Sequence, residues 1–350
     1  MKGRLFVVDT KFIENIDSIM EAQIIVPKPN SRLWYKTLTD IMADAMQIQI
    51  GDYVFFWETK GDNSDSNIHG VYRAISNPYF EGNFIKIKIE KAYSFKKPIS
   101  EYDILNDPYN KIDLWNIVGK KIAGKSRGCT PLSTYEIEFL IQKLANLNPE
   151  FTYIPFSGST IKVKNELLIN LSNTSENPII SSLDELNLTK VSFVDKYGNV
   201  RYEKFFELLF NYIIREKNSK ILSEFNINLN NIVWYANYLP YSIERKEIDY
   251  LIMEASDYHN IDKINVLEFQ RGVVDLDHIN RCLLYSKWIN FKLAKGANLA
   301  RPIIICENFV KLKPSTLKTI ELLEKQYGTK PLEIYSMSFK KDTIKITRKR

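Results

Sequence analysis

Two units in series are predicted from the 350-residue sequence. The first, over residues 1–150, is an α+β unit built on a small β-barrel. The second, over residues 199–350, is an α/β unit with a mixed central sheet flanked by helices. Three observations predict this. Ile85, Ile87 and Ile89 alternate with Lys86, Lys88 and Glu90, the pattern of a strand with one buried face. Beyond residue 199 the order helix, strand, strand, helix, strand, helix, strand puts helices on the faces of one sheet. Between the units, residues 151–198 form a connector whose Asn-, Ser- and Thr-rich part, 167–188, carries only short structure. At ~100–200 residues per domain, the length also suggests about two domains, each able to bury its own core.

In the first unit, Phe6-Val7-Val8 reads as an edge or first strand. Residues 33–46 have helical spacing, with Leu33, Leu38, Ile41, Met42 and Ala45 recurring at three and four. Gly51-Asp52 turns the chain into a strong strand over 53–57. The Gly-, Asp- and Asn-rich run 60–67 is a loop, and strands follow over 69–75 and 84–92. Residues 135–144 read as a helix, capped by Ser133 or Thr134 with Pro131 just upstream.

The second unit opens on an apolar helix over 205–214, with Phe205, Leu208, Leu209, Tyr212 and Ile213 on one face. Two strands around residues 248–253 and 266–270 follow, joined by a polar turn. A helix over 278–293, a buried strand over 301–306, a helix over 317–327 and strands over 332–339 and 343–347 complete it.

Composition narrows the function classes. Hydrophobic residues make up 45% and charged residues 26% of the chain, ordinary for a folded soluble protein. The net charge of +6 and the pI of about 8.9 allow a polyanionic partner. Aromatic residues reach 13%, enough to furnish both a β-rich core and stacking surfaces for bases. Cys129, Cys282 and Cys306 are too far apart for a disulfide framework or zinc spacing, so a reducing cytoplasm is the expected setting. Three histidines, His69, His259 and His278, argue against a His-rich metal site. The start MKGRLFVVDTKF lacks the apolar core of a signal peptide, and with no run of ~18 apolar residues no membrane partner is expected.

Chemistry concentrates at Asp249 and Glu268-Phe269-Gln270. Asp249 sits among Ile248, Tyr250, Leu251, Ile252 and Met253, and Glu268 among Val266, Leu267 and Phe269. A carboxylate drawn into such a run costs several kcal/mol unless it is paired or holds a metal. Alternation puts Asp249 on the face of Leu251 and Met253, and Glu268 on the face of Val266 and Gln270. If the two strands pair as a hairpin, the acids lie side by side. Two neighbouring carboxylates suit a hard cation such as Mg²⁺, which polarises a phosphate and activates water.

The Asp249, Glu268, Gln270 pattern resembles the PD-(D/E)XK nuclease superfamily, which includes many restriction endonucleases. The resemblance implies a restriction-endonuclease-like fold in which Asp249 and Glu268 bind Mg²⁺, with Gln270 where Lys is usual. Arg271 and Lys263 are the nearby cations that would compensate. An acid on the preceding helix is expected to join the catalytic and metal set: Glu207, with Glu203 second. Arg281-Cys282-Leu283-Leu284-Tyr285-Ser286-Lys287-Trp288 and Pro302-Ile303-Ile304-Ile305-Cys306-Glu307 are similar to the later helix and strand of NucS-type endonucleases. Arg281 stands where that helix tends to carry Gln, while Tyr285 and Trp288 match. Such enzymes commonly cut both strands as dimers, so a homodimer is implied.

In the first unit, Gly51-Asp52-Tyr53-Val54-Phe55-Phe56-Trp57, His69-Gly70-Val71-Tyr72-Arg73-Ala74, Phe95-Lys96-Lys97-Pro98-Ile99 and the run from Ser126 to Ser133 resemble EVE and other PUA-like domains. Such domains often hold a flipped, modified base in an aromatic pocket, with stacking on an aromatic worth about 1–3 kcal/mol per base against a flipping cost of a few. Trp34, Trp57 and Tyr79 are the candidate walls. Ser126 and Arg127, between Gly124 and Gly128, are candidates for the phosphate or base edge, and Arg271 for DNA contact from the second unit. Residues 119–126 also match the spacing Gly-x-x-x-x-Gly-Lys-Ser, but Gly128 and Pro131 interrupt the helix a nucleotide-binding loop must open into. The basic residues Lys340, Lys341, Lys345, Arg348, Lys349 and Arg350 form a small terminal cluster.

The expected function is therefore a Mg²⁺-dependent endonuclease acting on double-stranded DNA, of the restriction type. A repair endonuclease for mismatched or branched DNA is the rival within the class. A nucleic-acid binder whose nuclease core no longer cuts is the rival outside it.

Overall fold

The computed structural model describes residues 2–26, 34–59, 66–106, 114–117, 129–167, 169–170, 179–180, 199–241, 246–257, 260–340 and 343–350, with backbone alone at 34, 35, 169, 170, 179, 180, 340 and 343. They gather into two compact units.

The first unit comprises β1 (Gly3–Asp9), α1 (Thr10–Ile19), β2 (Glu21–Ile25), α2 (Trp34–Met46), β3 (Tyr53–Thr59), β4 (Asn67–Ala74), β5 (Tyr79–Glu81), β6 (Phe84–Lys91), β7 (Ile99–Ser100), α3 (Glu101–Leu105), β8 (Cys129–Leu132) and α4 (Thr134–Leu147). Its strands form a curled, open half-barrel in the order β2-β6-β4-β3-β1-β8, with β5 on β6 and β7 on β4. Only β1 and β3 run parallel among these pairs, Leu5 facing Phe55. The strand at Phe6-Val7-Val8 is thus interior, between β3 and β8, rather than an edge.

Local chemistry starts and stops these elements. Gly51 turns the chain at a φ of 90°, which a glycine adopts without strain, and the Asp52 carboxylate accepts the Gln49 N–H at 3.0 Å. Ser133 and Glu136 form a reciprocal capping box at the start of α4, leaving two fewer orphan donors at that end. The carboxylate of Glu136 does more: it also accepts the backbone N–H groups of Asn116 at 2.6 Å and Ile117 at 3.0 Å. Leu5, Phe55, Trp57, Ile68, Leu132, Ile137 and Leu140 then pack α4 against the sheet.

Residues 151–167, expected to begin the connector, belong to this unit. They run as an extended strap along the sheet, tied by Ile154 N–H to Ala92 O at 2.9 Å, Ile161 N–H to Ile75 O at 2.8 Å and Leu167 N–H to Pro78 O at 2.8 Å.

The second unit opens with a two-residue pair, β9 (Ile169–Asn170) and β10 (Ile179–Ile180). It continues with α5 (Lys204–Arg215), α6 (Ser219–Glu224), β11 (Ile232–Tyr241), β12 (Lys246–Glu254), β13 (Lys263–Val273), α7 (Leu276–Lys292), β14 (Ala300–Asn308), α8 (Pro314–Tyr327), β15 (Glu333–Lys340) and β16 (Thr343–Arg348). The sheet order is β11-β12-β13-β14-β15-β16. β11, β12 and β13 form an antiparallel meander, α7 and α8 are crossovers to the parallel strands β14 and β15, and β16 closes a hairpin. Both faces are covered. Ile279, Cys282, Leu283, Ile304, Ile320 and Ile334 pack α7 and α8 on one side. On the other, Phe206 of α5 stacks on Phe269 at 5.4 Å, and Phe210 meets Tyr250 and Phe269.

The edge strand β11 was not expected. The sequence reading places no element over Ile232–Tyr241, and its Pro240 is tolerated because an edge strand can hold a proline that cannot donate to a ladder. At the end of the sheet away from Asp249, Arg301 reaches Glu333, Asn265, Tyr335 and the Phe225 carbonyl, while Asn265 donates to Glu254 at 2.6 Å. This buried polar network ties four neighbouring strands together.

Candidate functional site

The β12–β13 ladder pairs Tyr250 with Leu267 and Leu251 with Val266. One step further the same register sets Asp249 opposite Glu268, and there the side chains take over. The Phe269 N–H donates to Asp249 Oδ2 at 2.9 Å, and the Asp249 N–H donates to Glu268 Oε1 at 3.3 Å. The two acids read from the sequence as neighbours are neighbours, placed where the strands part.

Glu268 is only 2% exposed, and Asp249 is partly exposed. Burial and then the charge of Asp249 push the Glu268 carboxyl well above the usual carboxylate range. Burial raises Asp249 as well. The cations that answer them come from the flanking helices. Arg281 of α7 donates through Nε to Glu268 Oε2 at 3.0 Å, and its charge also reaches Asp249. Lys204, in the first turn of α5, is the largest charge offsetting the burial of Asp249. It is ion-paired with Glu207 and lies 3.8 Å over the Tyr238 ring.

Glu207 is buried, as a residue on the sheet-facing side of α5 must be. Its carboxylate is held by Lys204 and by Asn237 Nδ2 at 2.7 Å. Burial and the nearby Asp249 raise its pKa, against the pull of Lys204. Glu203, partly exposed, accepts the Arg271 N–H at 3.3 Å and is likewise raised by burial and Asp249. Glu203, Glu207 and Glu268 thus share one electrostatic neighbourhood with Asp249, Lys204 and Arg281, and the charge of Glu247 also reaches Asp249. None of the described residues makes a preformed group of three metal-binding side chains. The oxygen-rich donor chemistry of Asp249 and Glu268 nevertheless suits a hard divalent cation.

Gln270 shares the strand but not the contact: its side-chain amide donates to the Arg271 carbonyl at 3.2 Å. The expectation that Lys263 supplies compensating charge is corrected. Arg271 is exposed and meets Glu203 through its backbone, and Lys263, at the far end of β13, pairs with Glu254 at 3.0 Å. Lys204 and Arg281 are the cations whose charges reach Asp249. Lys204 was missed because it precedes the apolar face of α5, although its three-residue spacing to Glu207 was a usable signal. Tyr285 and Trp288 pack on Tyr241 of β11, with ring centroids 4.6 and 5.5 Å away, and so fasten the edge strand to α7.

In the first unit, two expected pocket walls are corrected. Trp57 is 5% exposed and lies inside the core with Leu5, Ile68 and Leu140, because it falls on the inward face of β3. Tyr79 is buried, and its hydroxyl donates to Glu21 Oε1 at 2.8 Å. The side chain of Trp34 and all of Ser126, Arg127 and the 119–126 loop lie outside the described residues, as does most of the 168–198 connector.

Among the described residues no helix is long and apolar enough to cross a membrane. No protein-family model matches the chain, and no curated protein matches it. Solved structures similar to part of it include two of low identity. One is a hypothetical protein from Leishmania major, at 9% identity and a TM-score of 0.31, covering 42% of this chain and 97% of that one. The other is human THYN1 in complex with DNA containing 5-methylcytosine, at 12% identity and a TM-score of 0.26, covering 41% of this chain and 98% of that one.

Proposed function

We propose that the chain is a Mg²⁺-dependent DNA endonuclease of the restriction type, in which the second unit hydrolyses phosphodiester bonds and the first reads the site or a modified base. One observation carries this reading: Asp249 and Glu268 face each other where β12 and β13 part, each bound to the other strand's backbone, and both disfavour a bare negative charge. A burial of that kind is costly as structure alone and serves a site that binds a cation. The order helix, antiparallel pair β12–β13, helix and parallel strand β14 is compatible with the nuclease resemblance, to which the edge strand β11 is an addition.

Asp249 and Glu268 would hold the ion, with Glu207 behind them through Lys204. Bound there, Mg²⁺ supplies Lewis-acid polarisation of the phosphate and an acidified water. Arg281 offsets part of the cost of ionising Glu268 and orients its carboxyl group. Lys204 offers a positive charge beside Asp249 to a phosphate oxygen. Asn237 fixes Glu207 so that Lys204 stays pointed at the acids. Double-stranded DNA is the proposed partner, and a homodimer would place one such site on each strand.

A second reading, a DNA binder whose core no longer cuts, is favoured by the turn of the Gln270 amide toward the Arg271 carbonyl. Incubating the protein with methylated and unmethylated plasmid, with and without Mg²⁺, separates the two. Discrete Mg²⁺-dependent bands are expected, with Asp249→Ala and Glu268→Ala abolishing cutting while DNA retention in a gel shift persists. Binding without cutting on any DNA would favour the second reading. Cutting confined to mismatched or branched duplexes would make the chain a repair enzyme. Full activity in either alanine variant would remove the metal assignment.

A further inference from the structure

We infer that the strap over residues 151–164 is a stacking platform for single-stranded nucleic acid. The strap is unusual in being ordered without being buried. Its backbone is tied along the sheet edge: the Ser94 N–H donates to Thr152 O at 3.0 Å and the Ile154 N–H to Ala92 O at 2.9 Å. Ser157 binds Glu90 through its hydroxyl at 3.1 Å. Beneath it the buried guanidinium of Arg73 donates to Ile154 O and the Tyr153 hydroxyl, both at 3.0 Å. Yet Phe151, Tyr153 and Phe156 remain 37%, 50% and 38% exposed. Tyr93 and Phe95 extend the same aromatic group, stacked at 5.0 Å and meeting Phe151 at 5.9 and 5.1 Å. Large rings held in water on a pinned backbone mark an interaction surface.

Charge names the occupant. Lys96 and Lys97 are exposed beside Phe95, and their backbone is set by the Asn148 side chain, which accepts both N–H groups at 2.8 and 2.7 Å. Lys162 and Lys164 are exposed further along the strap. Of the carboxylates nearby, Glu90 is held by Ser157 and Glu166 by Asn77 at 2.7 Å, neutral donors that fix both side chains without cancelling their charge, and Glu150 is exposed at the end beside Phe151. Lysine is depleted at protein–protein contacts, whereas rings interleaved with lysines match a strand whose phosphates follow the cations and whose bases lie on the rings. Bases inside a duplex are already stacked, so the unpaired strand is the better fit. The inference does not depend on the carboxylate site.

The test is fluorescence anisotropy of a labelled oligothymidylate against the full chain in EDTA, with a labelled duplex of equal length alongside. The single strand should bind more tightly than the duplex. Phe156→Ala, a truncation of a surface ring, should weaken the single strand about tenfold, and Tyr153→Ala similarly, while Tyr153→Phe keeps the affinity. Lys162→Gln with Lys164→Gln should flatten the slope of log K against log salt by about 1.4. Because EDTA removes divalent cations, no Mg²⁺-dependent cutting contributes, which keeps this result separate from the cleavage reading. Equal binding of wild type and Phe156→Ala, a duplex preference, or a strap that instead drives self-association in sedimentation would each overturn the inference.

Discussion

The carboxylate pair makes a prediction whose sign is opposite to that of most substitutions. Asp249→Asn keeps shape and still lets the Phe269 N–H find an oxygen at the position now 2.9 Å away. It removes a charge that burial disfavours and that raises Glu268. Opposed residues at a cross-strand position lie about 5 Å apart. At an effective dielectric of about 20 the repulsion between two unit charges there is at most roughly 3 kcal/mol, less to the extent that the raised Glu268 carboxyl holds a proton. Lys204 and Arg281 lose an attraction to Asp249 in the same step, which offsets part of this. The expected gain is about 1–2 kcal/mol of stability in EDTA at pH 7, read as a melting temperature higher by roughly 2–8 °C. Mg²⁺ should then raise the melting temperature of the wild type by mass action and leave the variant unmoved. Differential scanning calorimetry in EDTA and in MgCl₂ measures both. A variant less stable than wild type in EDTA would refute the electrostatic argument, and a wild type indifferent to Mg²⁺ would refute the cation site.

Three further outcomes follow from packing and pairing. Trp57→Ala should cost about 3–5 kcal/mol in urea unfolding, as for a large core residue; a cost under about 1 kcal/mol would return Trp57 to the role of a pocket wall. Glu136→Ala removes the acceptor of the Asn116, Ile117 and Ser133 N–H groups and should cost about 3 kcal/mol or more, with hydrogen exchange accelerating first at those amides; unchanged exchange there would sink the idea. Glu333 is held below its ordinary value of 4.5, against its partial burial, by Arg301 and Tyr335. Its contribution is therefore present above the ordinary carboxylate range and lost as pH falls through the depressed value. Glu333→Gln should destabilise at pH 7 and flatten the acid limb of a stability–pH curve, and an unaltered limb would contradict this.

Much of the second unit was legible because its elements are strongly patterned. The apolar face of α5, the strand around Ile303 and the α8 periodicity each follow from burial of one stripe or one run. β11 escapes the sequence reading although Ile232, Val233, Trp234 and Tyr235 favour a strand; Asn237 and Pro240 break that run, and pairing with β12 carries the strand through them. Trp57 and Tyr79 failed as pocket walls for a related reason: an aromatic in a strand reads the same whether its face meets a core or a cavity. The strap was unreadable because its exposed rings resemble a buried run.

By itself the sequence determined that two acids, nineteen positions apart, would lie on adjacent strands: alternation and a hairpin leave them little choice. Only the tertiary structure decided which charges answer them. Lys204 and Arg281 come from helices on either side of the sheet, at sequence separations that no local rule connects, and the packing of α5 and α7 brings them to one place. Charge balance at a site is a property of what converges in space, and the chain's order alone carries no measure of that distance.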